Sequence, residues 1–122
     1  QVLLEGDISS SPQPLIKRIS FIKRKAGMDP SEFFQYWKDV HGPLAVQIPG
    51  IQRYVQCRAL PSSYAKSEPQ YDGVAELWFD TLGDLNFAMA SEEYKEGAQP
   101  DGLKFVDPAN MVTLITEEYR IL

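Results

Sequence analysis

The sequence predicts an α+β domain: a four-stranded antiparallel sheet with two helices on one face. Three observations lead there. Four segments alternate apolar and polar residues with the period of a strand. Two segments open on helix caps and carry apolar residues three and four apart. Their order is β-α-β-β-α-β, and short connections with right-handed crossovers fold that order into the ferredoxin-like arrangement. With 122 residues the chain has one domain's length.

Residues 1–15 are rich in Ser, Pro and Gln and are expected to form an N-terminal arm, leaving 16–122 as the folded domain. The first strand is expected over 16–25, where Ile19 and Phe21 alternate with Arg18 and Ser20, and Gly27 ends it. Asp29-Pro30-Ser31-Glu32 then starts a helix: Asp caps free N–H groups, Pro suits the first position, and Glu can reach back to the cap. Phe33, Trp37, Val40, His41, Leu44 and Ile48 make its apolar stripe, which Pro43 should bend or interrupt. A second strand follows over 51–60, with Val55, Cys57 and Ala59 on one side and Tyr54 and Gln56 on the other, and a loop over 61–70. The third strand, 71–80, sets Ala75, Leu77 and Phe79 against Val74, Glu76 and Trp78. The second helix, 81–90, is capped by Thr81 and buries Leu85, Ala88 and Met89; Pro100-Asp101-Gly102 breaks a further helical turn, and 111–122 is the last strand.

Composition narrows the function. Hydrophobic residues make up 43% and charged residues 24%, ordinary globular values. A net charge of −5 argues against nucleic acid, whose phosphates require clustered Lys and Arg. The charge is uneven: eight basic against five acidic residues in 1–60, and four against twelve in 61–122. Solvated faces explain that split without a partner. No apolar run approaches the roughly 20 residues of a membrane span, and the start lacks a secretory pattern, so no membrane partner and a cytoplasmic location are expected. A single Cys57 forms no internal disulfide, and with one histidine no multi-residue metal site is expected. Gly-rich nucleotide loops and the Gly-x-Ser-x-Gly elbow are absent.

His41 is the sharpest candidate, because it is the one side chain whose ordinary pKa suits proton transfer near neutrality. It shares a stripe with Trp37 and Phe33 and should face the sheet. The alternative is that its ring only holds a carbonyl freed near Pro43; haem ligation has no other support. Tyr54 is either a packed strand residue or a donor beside His41. Phe34, Trp37, Trp78, Phe87 and Phe105 are either core or the walls of a ligand pocket. Glu76 is expected to pair with Arg53 or a Lys, Cys57 to be a small buried group, and Asp107 to cap a turn. With helices on one face only, apolar residues on the other face need a cover, which predicts a homodimer through the sheets.

The run Phe33-Phe34-Gln35-Tyr36-Trp37-Lys38-Asp39-Val40-His41-Gly42-Pro43-Leu44, followed by Pro49-Gly50-Ile51-Gln52-Arg53-Tyr54, resembles the EthD family of dimeric α+β barrel proteins. Phe105-Val106-Asp107-Pro108 and Thr116-Glu117-Glu118 are similar to that family's C-terminal pattern. The resemblance implies sheet-to-sheet dimers with a pocket between sheet and helices. It also implies cofactor-independent chemistry of the cyclase, dehydratase, decarboxylase or isomerase type on a small aromatic or lactone-like metabolite. The alternative is a non-catalytic small-molecule binder or accessory protein. One isomerase of the family matches this chain at His41, but its second histidine and its cysteine fall at Gln52 and Leu77, so that particular reaction is not implied.

Overall fold

Alternating segments become strands where expected: β2 (Leu15–Ile22), β3 (Arg53–Arg58), β4 (Gly73–Phe79) and β5 (Val112–Glu118) pair antiparallel in the order β3-β4-β2-β5. This is seen in a computed structural model that describes residues 2–5 by their backbone and residues 14–122 in full. A fifth strand, β1 (Val2–Glu5), pairs antiparallel with the outer edge of β3. Part of the expected arm therefore lies in the sheet at 2–5, and Leu15 belongs to β2; positions 1 and 6–13 lie outside the described residues.

Rows across the sheet fix which side chains share a face. Tyr54, Leu77, Arg18 and Ile115 are mutual neighbours in one row, and Gln56, Ala75, Ser20 and Thr113 in the next on the same face. This is the helix-covered face. The more apolar side of β2, Ile19 and Phe21, points the other way, together with Val55, Cys57, Val74, Trp78 and Leu114. Alternation announces a strand, but a sheet apolar on both sides does not announce which side its own helices cover.

The first helical arm begins at α1 (Pro30–Tyr36), whose cap Asp29 accepts the Ser31 N–H at 3.0 Å. It runs into a π-helical turn, Trp37–His41, and then α2 (Gly42–Ala45). Gly42 N–H bonds Trp37 O, five residues back. Pro43 has no N–H to offer, and four-residue spacing resumes with Val46 N–H on Gly42 O at 3.1 Å. The expected interruption is thus a widened turn rather than a break. The second arm repeats the device. After α3 (Leu82–Met89), capped by Thr81 at 3.0 Å from the Asp84 N–H, a π-helical turn Glu93–Ala98 leads into α4 (Gln99–Gly102) with Pro100 at its start.

Phe33 and Phe79 are fully buried, each contributing about 1.5–3 kcal/mol relative to exposure. Trp37, 2% exposed, lies directly on Gly73, where an added Cβ would sit 2.6 Å from its ring. The loop after β3 is tied down by fully buried Asp72. Its carboxylate accepts the Arg24 N–H and Nη1 at 2.7 Å each and the Tyr64 hydroxyl at 2.6 Å. Among the described residues no helix is long and apolar enough to cross a membrane.

Candidate active site

Small side chains where the helices meet the sheet leave a space unfilled. Ser20 and Ala75 on the sheet face Ala45 and Ala98 on the helical arms, and a cavity of about 350 Å³ remains between them. That volume lies in the usual range for small-molecule sites. Trp37 and Phe105 supply aromatic wall, and His41, Tyr54, Arg18 and Tyr94 bring polar groups to it.

His41 stands on the cavity wall with its ring edge-on to Phe105, centroids 4.9 Å apart. Its Nδ1 lies 2.9 Å from Asp101 Oδ2, a contact between residues 60 apart in sequence. Asp101, 5% exposed, also accepts the Tyr36 hydroxyl at Oδ1, 2.5 Å away, and Lys104 Nζ lies 3.8 Å from that oxygen. The π-helical turn Trp37–His41 brings Tyr36 and His41 to the same side. On a regular helix Tyr36 and His41, five positions apart, point well away from each other. The wider turn rotates less per residue and lets both reach one carboxylate.

Burial holds the His41 pKa below its ordinary value, although the hydrogen bond and charge of Asp101 oppose the shift. The ring is therefore neutral near pH 7. With the acceptor Asp101 at Nδ1, the proton belongs on Nδ1, and Nε2 is left with its lone pair. Burial, helped by Asp101, raises the Tyr36 pKa to about 12, so its hydroxyl stays a donor. Tyr54, 1% exposed, is pushed up to about 12 by burial, against hydrogen bonds from the Gln56 and Trp37 side chains that pull the other way. Its hydroxyl accepts Gln56 Nε2 at 3.0 Å, and the same nitrogen donates to Trp37 O at 2.9 Å.

The sequence-based candidates divide cleanly. His41, Tyr54, Trp37 and Phe105 line one cavity. Phe34, Trp78 and Phe87 do not line it. Phe34 follows the core residue Phe33 by one helical step and turns outward, against Tyr64 with centroids 6.5 Å apart and under Arg58. Trp78 follows Leu77 by one strand step and so lies on the opposite sheet face, in a cluster with Leu15 and Val55, its Nε1–H donating to Glu118 at 3.0 Å. Phe87 is 69% exposed because Leu85 and Ala88 take the sheet-facing positions of α3. Glu76 pairs with Lys17, and Asp107 caps its turn by accepting the Ala109 N–H at 3.0 Å. Cys57 is exposed rather than buried, its Sγ 3.4 Å from Glu76. Asp101 and Tyr36 were not readable as site residues: Pro100-Asp101-Gly102 has the composition of a turn, and no periodicity joins Asp101 to His41.

The family model described as the EthD domain matches residues 25–109. Among solved structures, the chain is similar to an EthD family protein from Bacillus halodurans C-125, with 24% identity and a TM-score of 0.70 over 86% of this chain and 99% of that one. A dimeric ferredoxin-like protein from Thermobifida fusca YX aligns with 13% identity and a TM-score of 0.67 over 88% and 93%. SnoaB, a cofactor-independent oxygenase from Streptomyces nogalater, aligns with 11% identity and a TM-score of 0.63 over 89% and 97%. These identities speak to the fold. No curated protein matches the sequence significantly.

Proposed function

This chain belongs to the EthD family, and from that premise we propose that it is a cofactor-independent enzyme that moves a proton on a small aromatic or lactone-like metabolite. The observation that supports the reading is the His41–Asp101 pair on the wall of an apolar cavity. His41 Nε2 takes a proton from an acidic C–H of the ligand. The C–H electron pair moves into the adjacent carbonyl, giving an enolate, and the imidazolium that forms is stabilised by the Asp101 carboxylate. Return of the proton to another carbon completes an isomerisation; return to a departing hydroxide completes a dehydration. The low dielectric of the cavity strengthens each of these hydrogen bonds. Tyr54 and Tyr36 remain protonated and serve as donors, Tyr54 from the sheet and Tyr36 through Asp101. The homodimer through the open sheet faces belongs to the same reading: a solved neighbour of this fold is described as dimeric, and Val112 and Leu114 are 49% and 54% exposed on that face.

The test is deuterium exchange in D2O, followed by NMR, at the acidic carbons of hydroxyaryl 1,3-diketones and of γ-lactones. Exchange above background by the wild type and its loss in His41→Gln are expected. Equal exchange by both proteins removes His41 from the chemistry.

A further inference from the structure

Five basic side chains lie along β2 and just beyond it. Three have carboxylates: Lys17 pairs with Glu76 and lies 3.7 Å from Glu118, and Lys23 and Arg24 share Asp72 and Glu68. Of the other two, Lys25 is exposed to solvent, whereas Arg18 is half-buried with no carboxylate within 4 Å among the described residues. It stands on the helix-covered face between Leu77 and Ile115 and lines the same cavity as His41. Its one side-chain hydrogen bond among the described residues is a long one, Nη2 to the Tyr94 hydroxyl at 3.5 Å, with the guanidinium 5.8 Å from the Tyr94 ring centroid. A guanidinium carries five N–H donors in a planar fork that matches a carboxylate.

We infer that Arg18 is the anchor for a carboxylate on the ligand, so that the metabolite is an aromatic or lactone acid rather than a neutral compound. The inference rests on the proposed function for its site and adds the ligand's charge and orientation. Asp101 places a buried negative charge at the His41 side of the cavity, which repels a carboxylate from that end. Arg18 attracts it to the other. The acid group then sits over the sheet with Tyr94 as a second donor, the apolar body spans the small residues Ala75 and Ala45, and the far end of the ligand meets His41. The cation on the cavity wall and the carboxylate behind His41 thus fix the direction in which the ligand lies.

Isothermal titration with 2-naphthoate and its neutral analogue 2-naphthamide tests this without requiring turnover. The wild type is expected to bind the acid at least about tenfold more tightly than the amide, equivalent to about 1.4 kcal/mol, with the difference shrinking as salt is raised. Arg18→Met keeps the length and apolar stem and should abolish the preference while leaving amide affinity within about threefold, a difference below 1 kcal/mol. Arg18→Lys should retain part of it, and circular dichroism checks that both variants are folded. His41→Gln should retain the preference, which separates failure of the proton-transfer reading from failure of this one. Equal binding of acid and amide by the wild type, a preference that survives Arg18→Met, or no binding of either probe at millimolar concentration each overturns the inference.

Discussion

Burial and Asp101 act on the His41 ring in opposite directions, and burial prevails, so the imidazole is a neutral base at physiological pH. Proton transfer that uses this base should fall away as pH drops through a value below the ordinary 6.5 or so of histidine. The sign for stability is the same. A ring harder to protonate when folded contributes stability above about pH 6.5, and that contribution is lost as pH falls through the folded value. Asp101→Asn removes the negative charge that raises the His41 pKa, so the acidic limb should move to lower pH, and the rate should fall because the carboxylate no longer stabilises the imidazolium. Removing His41 itself should cost about 10²- to 10⁴-fold in rate. The chain has a single histidine, so its ring proton signals can be titrated by NMR without assignment; an unchanged pKa in Asp101→Asn would contradict the pairing. Tyr36→Phe should lower the rate less, since it only trims the hydrogen bonds to Asp101.

Helix α1 and its π-helical turn reach the sheet through Trp37, and that contact depends on β4 offering no side chain at Gly73. A Cβ there would fall 2.6 Å from the Trp37 ring and 2.7 Å from Cys57 O. Gly73→Ala is expected to destabilise the fold by about 1–3 kcal/mol in denaturant titrations and to shift tryptophan emission as Trp37 is displaced. Unchanged stability and emission would show that the arm can yield. The loop after β3 depends similarly on Asp72. Burial pushes its pKa up, but the hydrogen bonds from the Arg24 N–H, the Tyr64 hydroxyl and the Arg24 guanidinium outweigh it, and the net shift is downward. Asp72 therefore contributes stability above about pH 3.9, the ordinary aspartate value, and that contribution is lost as pH falls through the depressed folded value. Asp72→Asn should cost about 1–3 kcal/mol at neutral pH, with the gap to wild type closing in acid; a constant gap would refute the assignment.

The domain's architecture was readable from periodicity and caps, because hydrophobic alternation, Asp29 and Thr81 act locally. What escaped was set by contacts between distant segments. Which face of β2 meets the helices depends on everything packed above and below it, so alternation alone does not place Arg18 and Ser20 beneath them. Trp78 and Phe87 looked like pocket walls because aromatic character carries no direction. The open face shows the same limit from outside: it holds Ile19, Phe21, Val74 and Leu114, and on that face Arg53 Nε is buried without a hydrogen-bond partner among the described residues. Light scattering at micromolar concentration should find a dimer for the wild type and a monomer for Leu114→Glu, whose charge would be buried against the second copy. A monomeric wild type would refute sheet-to-sheet assembly.

Four small residues on the cavity wall, Ser20, Ala45, Ala75 and Ala98, hold neither the proposed base nor the proposed anchoring cation. Capacity and reactivity are thereby assigned to separate positions. Replacing one of these small groups by valine trims the bore from a chosen direction while leaving His41 and Arg18 in place, so under the proposed function descendants of this chain exchange one ligand for a narrower or shorter one by single steps.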